Sequence, residues 1–377
     1  MANTSVATRR RFIKASVGAA ALSGLSGCTG GTSSGGDSEY ADEITVFTWG
    51  GEAAEKFNNT YIKGEGWEGE TFTERHGTEI DHQTFGNADE LLSKIQAGTT
   101  EADLVDHNNN TVYPGVQDGL WQPIRTENIP NLDKFFEEFR PENSPFDPGE
   151  EAHHIPWVYG SHGAVYNYEQ MDEPTSWDDI YTEELEGKVA PSGFITAVVA
   201  NAALEVDIDF NTLDENTESK MEEVWGRVEH QNQYAFQWWK SGSTMQQLLT
   251  NESAHAGVFW VGRVYALRED NGVPVRHTVP EEGATAWMDT WSVPKGVEDP
   301  KRFTVEKFMN YVYEEAPARR EAEILPYAQP FEMEDPPDTL KNNADFQYSD
   351  RLKFWDAEIL EANRKEWQKE FQQLIQG

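Results

Sequence analysis

The segment from 44 to 49 reads Ile44-Thr45-Val46-Phe47-Thr48-Trp49, a β-branched and aromatic run that is typical of a buried strand. A second strand is predicted over Glu79–Phe85 and a third over Asp103–Asp106. Between the second and third strands, Asn87 is predicted to cap a helix that runs to about residue 97. This alternation predicts an α/β layer architecture with a mainly parallel sheet.

The same alternation continues through the rest of the chain. Further strands are predicted at Ala164–Asn167, Gly187–Pro191 and Gly257–Trp260. Further helices are predicted at Phe194–Leu204, Glu218–His230, Met245–Leu249, Phe303–Tyr313 and Arg351–Ile375. The last of these is amphipathic, because its apolar residues recur at spacings of three and four, and it dominates a C-terminal segment at 350–377.

The composition limits the classes of partner. The chain has 377 residues, enough for two domains with a core each, and its 67 acidic and 30 basic residues give a net charge of −37. Nucleic acid is not expected as a partner, because phosphate contacts need clustered Lys and Arg. The acidic residues are spread along the chain, which predicts a halophilic surface that concentrated salt screens. The alternative is a field that attracts cationic ligands.

The first residues are typical of an export signal. Thr8-Arg9-Arg10-Arg11-Phe12-Ile13-Lys14 resembles a twin-arginine (Tat) signal, and the apolar run Ala15–Leu25 that follows is shorter than the roughly twenty residues that span a bilayer. Leu25-Ser26-Gly27-Cys28 then resembles a lipobox. We therefore expect cleavage of residues 1–27 and a lipoprotein anchored to the outer face of the cell membrane through Cys28. The alternative is a buried or incidental cysteine.

Two consequences follow from this N-terminal region. Residues 28–42 are rich in Gly, Ser and Thr and are predicted to form a flexible tether. Cys28 is the single cysteine, which excludes a disulfide within the chain.

Several short segments stand in an order and at spacings that one protein family shares. They are Phe47-Thr48-Trp49, Glu101-Ala102-Asp103-Leu104-Val105, Ile155-Pro156-Trp157-Val158-Tyr159-Gly160, Thr175-Ser176-Trp177-Asp178-Asp179, Val258-Phe259-Trp260 and Ala286-Trp287-Met288-Asp289-Thr290-Trp291-Ser292-Val293-Pro294. On these segments the chain resembles, from Glu43 to Pro330, the periplasmic spermidine/putrescine-binding proteins of ABC transporters. The last segment is the most specific of the six.

The resemblance implies a fold and a role. The fold would be a periplasmic-binding-protein type II-like one, with two α/β lobes and a ligand cleft between them. Lobe one would comprise 43–154 plus about 292–330, and lobe two 156–289. The role would be that of a monomeric binding protein, without enzymatic activity or cofactor, that delivers a polyamine or a related organic cation to a membrane permease.

The resemblance also implies which residues line the cleft. Trp49, Trp260, Trp287 and Asp289 match family positions that supply aromatic faces and a carboxylate. Each cation–π contact contributes about 0.5–1 kcal/mol when exposed and about 2 kcal/mol when desolvated. Asp289 stands among apolar neighbours, where an unpaired charge is costly unless a ligand cation pairs with it. The alternatives are core packing for each Trp, and a backbone or Lys partner for Asp289.

Two departures from the family concern the ligand. Where the family has a Ser-Thr-Tyr-Tyr segment, this chain has Asn108-Asn109-Asn110-Thr111, so Asn108 and Asn110 are expected to supply hydrogen bonds without an aromatic wall. Where the family begins a helix with acidic residues, this chain has Ser192-Gly193-Phe194-Ile195-Thr196. A free helix N-terminus there could receive an anionic group. A thiamine-like cation, an amino acid and a sugar therefore remain open as ligands.

Motifs for catalysis are not found in the sequence. It has no Gly-x-Ser-x-Gly elbow, phosphate-binding Gly-Lys-Ser/Thr loop or His-Glu-x-x-His pair. His153 and His154 are adjacent, which points their rings apart on a strand and does not suit a chelate. We therefore predict no catalytic and no metal-ligating residues. A secreted hydrolase on the same export route is the alternative from another class; acidic pairs such as Asp178-Asp179 could serve a glycosidase.

Overall fold

The computed structural model describes residues 39–86, 88–147, 149–213 and 218–376. The predicted export signal, Cys28 and the predicted helix cap Asn87 lie outside the described residues. Within the described residues, no helix combines the length and the apolar character that crossing a bilayer requires.

Strands and helices alternate along the chain, as the sequence predicts. The strands are β1 (Glu43–Trp49), β2 (Glu79–Phe85), β3 (Leu104–Asn108), β4 (Ile155–Ser161), β5 (Gly163–Asn167), β6 (Val189–Ala190), β7 (Ala256–Phe259), β8 (Val275–Thr278), β9 (Ala284–Ser292) and β10 (Leu352–Lys353). The helices are α1 (Glu52–Phe57), α2 (Phe72–His76), α3 (Ala88–Gln96), α4 (Val112–Gln117), α5 (Ile195–Glu205), α6 (Glu218–Tyr234), α7 (Gly242–Thr250), α8 (Val261–Glu269), α9 (Lys301–Val312), α10 (Glu315–Ile324), α11 (Asp338–Lys341), α12 (Ala344–Gln347) and α13 (Ala357–Leu374).

The first sheet contains six of these strands, in the order β10-β9-β3-β1-β2 with β4 also paired to β9. Strand β1 runs parallel to β2 and β3, whereas β9 runs antiparallel to both β3 and β4. Every residue of β9 is fully buried except Asp289, which is half-buried. The first sheet is therefore built around β9, and the one partly accessible residue of β9 carries a carboxylate.

The second sheet has four strands in the order β6-β7-β5-β8. Strand β5 is antiparallel to β7 and β8, and β6 is parallel to β7. The α/β class is confirmed. Three of the five strand pairs in the first sheet are parallel, so the predicted mainly parallel sheet describes that sheet, but two of the three pairs in the second sheet are antiparallel. The chain leaves the first sheet through β4, reaches β5 after the single residue His162, and returns through β9. Strand β9 is antiparallel to β3 and β4 and parallel to β10.

The C-terminal segment differs from its prediction. A helix is predicted from Arg351, but α13 begins at Ala357, because Leu352–Lys353 pair with β9 as β10. The Asp356 carboxylate then caps the helix by accepting hydrogen bonds from the N–H groups of Glu358 (2.9 Å) and Ile359 (3.1 Å). A helix N-terminus gains most when such a side chain satisfies its free N–H groups.

Residues 345–355 contact residues near both sheets. On the second-sheet side, the Trp355 indole N–H donates to the Thr196 carbonyl oxygen of α5 at 3.1 Å. On the first-sheet side, the Phe354 ring lies 6.0 Å from the ring of Phe139, which belongs to the core beneath the first sheet. At the crossover itself, the Asp345 carboxylate accepts from the backbone N–H (2.9 Å) and hydroxyl (2.5 Å) of Ser161.

Candidate ligand-binding site

Asp289 lies in the middle of β9, between β3 and β4. The register places Asn108 of β3 directly opposite it on one side and Val158 of β4 on the other. Directly opposed residues of an antiparallel pair project to the same face of the sheet. The structure therefore brings two predicted site residues, Asn108 and Asp289, together.

The surroundings of Asp289 favour its neutral form in the absence of a cation. Burial raises the pKa of its carboxyl group to about 7, although the Asn108 side chain and the Trp49 indole N–H beside it hold this rise back. The Trp49 nitrogen forms no hydrogen bond of ordinary geometry within the described residues. Among those residues, no lysine or arginine forms an ion pair with Asp289 either. This carboxylate is therefore suited to a cation from outside the chain.

Two further carboxylates lie behind Asp289. Asp106 is two residues before Asn108 on β3 and is 1% exposed; burial and then the charge of Asp289 raise its pKa well above its usual range. Glu321 on α10 is 3% exposed and accepts a 2.5 Å hydrogen bond from the Tyr61 hydroxyl. Burial raises the pKa of Glu321 to about 7. Sequence reasoning missed both, although the period of two along β3 points to Asp106.

Trp49 closes this group of residues at the end of β1. It is half-buried, and its ring lies 4.6 Å from the ring of Phe85 at the end of β2. Trp49, Asn108 and Asp289 thus share one edge of the first sheet, which we call the acidic edge and define by these three residues with Asp106.

Trp287 and Trp260 occupy other surroundings. Trp287 is 8% exposed, and its indole N–H donates to the Ser161 carbonyl oxygen at 3.2 Å. Trp260 is half-buried and precedes α8, with its ring 5.1 Å from that of Trp239. Both rings therefore have packing partners of their own, and a ligand would meet only the parts that remain accessible.

Tyr327 lies between Trp287 and Gly262, a residue in the first turn of α8. The Tyr327 ring meets the Trp287 ring edge-on at 4.8 Å. A Cβ added to Gly262, two residues after Trp260, would lie 2.6 Å from the Tyr327 ring. The first turn of α8 therefore packs directly against the first-sheet side, at a contact that only glycine permits.

Asn110 is not part of this arrangement. Its backbone N–H donates to the Asn108 side-chain oxygen at 3.2 Å. Asn110 itself lines a small depression together with Tyr113, Phe146 and Trp355. The structure thus brings Trp49, Asn108 and Asp289 together and leaves Asn110 apart. Trp287 packs on Tyr327, which lies against α8 at Gly262, and Trp260 stands two residues earlier.

The second sheet contributes an edge of a different kind. Strands β6 and β7 are parallel, so α5 and α8, which follow them, begin at the same edge. Neither helix has an acidic residue in its first turn or a side chain that caps it. Arg263 lies in the first turn of α8, and a Cβ added to Gly51 would lie 4.0 Å from its guanidinium. Sequence reasoning missed Arg263, although it stands three residues after Trp260.

The histidine pair has structural partners. His154 bonds through its ring to the Thr290 hydroxyl (2.7 Å) and the Ser144 hydroxyl (2.6 Å), and burial lowers its pKa to about 4. His153 bonds to Asp147 instead. Within the part of the chain that the structure describes, no three His, Cys, Asp or Glu side chains are placed to share a metal ion.

Comparisons with known proteins agree on one family. Residues 69–347 match the model of the bacterial extracellular solute-binding proteins. The chain is 21% identical to the putrescine/agmatine-binding protein of Pseudomonas aeruginosa over 249 residues, which cover 61% of this chain and 66% of the relative. The match therefore spans just under two thirds of that relative's length.

Solved structures share the fold. The spermidine/putrescine-binding protein PotD of Streptococcus pneumoniae has a TM-score of 0.73 at 20% identity, covering 89% of this chain and all of the other. The protein MotA of A. tumefaciens, solved with glucopine, has a TM-score of 0.70 at 14% identity, covering 88% and 99%. The predicted type II-like binding-protein fold is thereby confirmed. The chain belongs to the bacterial extracellular solute-binding proteins.

Proposed function

We propose that this chain is the solute receptor of an ABC importer and that it captures a small organic solute through an ammonium group. Putrescine, which the Pseudomonas relative is named for, is the simplest such solute. The observation that carries the proposal is Asp289, the one half-buried position of a buried strand, with Asn108 and Trp49 beside it. An ammonium group placed there would pair with the carboxylate and lie against the indole face.

The accessory roles belong to the same proposal. The protein would be exported by the twin-arginine route, held at the cell surface by lipid on Cys28, and would pass its solute as a monomer to a membrane permease without transforming it. A family of extracellular binding proteins suits that route and that role. The wide ligand range of the fold, which includes a glucopine complex, keeps an amino acid or a sugar as the second candidate.

The two predicted lobes also remain part of the proposal. Residues 43–154 with 292–330 would form one, and 156–289 the other. The two separate sheets support a division into two lobes. Strands β4 and β9, which the division assigns largely to the second lobe, both pair within the first sheet and would carry the chain between the two lobes. Ligand would then enter between the acidic edge and the start of α8, and the lobes would close on it.

The test of this proposal is the substitution Asp289→Asn. A hydrogen bond to a charged group contributes about 1.5–3 kcal/mol, so affinity for 1,4-diaminobutane should fall roughly ten- to hundredfold in calorimetric titrations in molar salt. The matched control is Asp338→Asn, whose side chain is 93% exposed at the start of α11. Unchanged affinity in Asp289→Asn, or binding of neutral sugars alone by the parent, would show the proposal to be wrong.

A further inference from the structure

The edge of the second sheet where α5 and α8 begin has the electrostatic character of an anion site. The helices have eleven and nine residues, and each begins without a capping side chain or an acidic residue in its first turn. The first N–H groups of a helix have no partner within it and carry the positive end of its dipole. Two such ends at one edge favour an anionic group, but on their own they do not establish a ligand.

Arg263 adds a guanidinium group to this edge. It is half-buried in the first turn of α8, and its guanidinium lies on the side of Gly51, two residues after Trp49. The cation therefore lies where α8 approaches the acidic edge. A guanidinium matches a carboxylate with two parallel hydrogen bonds, which makes arginine the usual residue for that group.

His162 is the independent observation. It is 7% exposed, and its Nδ1 has no hydrogen-bond partner among the described residues. Its ring lies 6.3 Å from the ring of Phe194 and 5.9 Å from that of Trp260, the residues that directly precede α5 and α8. A buried polar atom without a partner is unusual in a native protein. Burial lowers the pKa of His162 to about 3, so the ring is neutral and can still donate one N–H.

We infer that the solute is zwitterionic, a linear molecule with an ammonium group at one end and a carboxylate at the other. This inference rests on the proposed function, since the ammonium group binds at Asp289. The carboxylate lies at the start of α5 and α8, with Arg263 and His162 as its side-chain partners. A diamine would place its second ammonium group at the start of α5 and α8, where the positive ends of both helices oppose it.

The experiment compares two solutes of equal length that differ in one end group, 1,4-diaminobutane and 4-aminobutanoate. In calorimetric titrations of the full chain in molar salt, we expect the amino acid to bind more tightly by about tenfold or more. Arg263→Gln should bring the ratio of the two affinities close to one, and Arg263→Glu should reverse it. The ratio is measured within one variant, so a general loss of stability does not alter its meaning.

Arg268→Gln is the matched control. Arg268 lies at the end of the same helix, paired with its neighbour Glu269 at 2.7 Å, and its substitution should leave the ratio unchanged. Equal or tighter binding of the diamine by the parent, or an unchanged ratio in Arg263→Gln, would overturn the inference and leave the proposed function standing. If butanoate binds and neither amine does, or if no member of either series up to six carbons binds, the proposed function fails as well.

Discussion

The acidic edge of the first sheet and the edge of the second sheet where α5 and α8 begin differ in the charge of their side chains. At the first, Asp289 and Asp106 lie on neighbouring strands, Glu321 lies behind them, and no cation of the described residues is ion-paired with Asp289. At the second, two helices begin without an acid in their first turns, and Arg263 supplies a positive charge.

This difference shows that the two sides of a ligand cleft can suit groups of opposite charge. Buried carboxylates without cations destabilise the fold, since burial disfavours their charged form. A ligand with a positive end and a negative end, as inferred above, would suit both edges. Three measurements test how far the contrast between the two edges extends.

The largest effect concerns buried glutamates on the two sides. Glu321 has no cation partner among the described residues, and its pKa rises from 4.5 to about 7. Because the pKa of Glu321 is higher in the folded state than in the unfolded state, ionisation of this group destabilises the fold. This destabilisation is absent at pH values below the unfolded pKa and complete at pH values above the folded pKa. Glu321→Gln should therefore raise the free energy of unfolding at about pH 8 by roughly 3 kcal/mol, and the gain should vanish towards about pH 4.5. Urea unfolding at both pH values measures this.

The matched variant on the second-sheet side is Glu205→Gln on α5. Glu205 accepts hydrogen bonds from the Arg227 guanidinium and from Gln231, so the substitution leaves a largely buried arginine short of one partner. Burial raises the pKa of Glu205 to about 8 even beside Arg227. Because the Arg227 charge stays buried when the carboxylate is removed, that variant should nevertheless be less stable than the parent. A stabilised Glu205→Gln, or a Glu321→Gln variant with the same gain at both pH values, would contradict the contrast.

The second effect is on ligand affinity as a function of pH. Asp289 must be ionised to hold an ammonium group, and its pKa of about 7 in the free protein places this ionisation in an accessible range. Affinity for an ammonium solute should fall by about a hundredfold between pH 8 and pH 5, because about one molecule in a hundred is ionised two units below the pKa. Titrations at intermediate pH values trace the curve. Asp289→Asn should give a flat profile, and a flat profile in the parent would remove Asp289 as the anchor.

The third and smallest effect tests the contact between the two sides. A Cβ at Gly262 would lie 2.6 Å from the Tyr327 ring, so Gly262→Ala should hold α8 away from the acidic edge and reduce affinity by about tenfold, within the range of overpacked interfaces. Gly226→Ala is the control, since a Cβ there meets nothing within 4 Å, and it should leave binding unchanged. Equal affinities of the two variants would show that this contact does not form in the bound state.

Local patterns in the sequence predict most of the fold. The β2 span at Glu79–Phe85 is confirmed in full, and α6 begins at Glu218 as predicted, because period-two and period-3.6 apolar patterns each indicate one kind of element. The direction of β9 could not be predicted, since nothing within Ala284–Ser292 records that the chain arrives from another sheet. The start of α13 was missed for a similar reason, because β10 exists only through its partner.

The site was predictable only where residues lie together on the chain or match a family segment. Asp289 was identified in this way, and its predicted role in binding stays a prediction. Glu321 and Tyr327 were missed, because they reach the site from the distant segment after α9. Arg263 was missed because an arginine in a helix is usually solvated; its significance appears only when α8 is seen against Gly51.

The C-terminal segment has a mechanical consequence. Two strands, β4 and β9, cross between the sheets, and two bodies joined by two nearby strands can both bend and twist about them. Residues 345–355 form a third connection, because Asp345 bonds to Ser161, Trp355 bonds to Thr196 and Phe354 packs against Phe139. A third connection of this kind restrains twisting of the two sheets about β4 and β9 more than it restrains bending. We therefore expect the cleft to open and close mainly by hinge bending, with little twisting, so that a solute would approach along the same path each time.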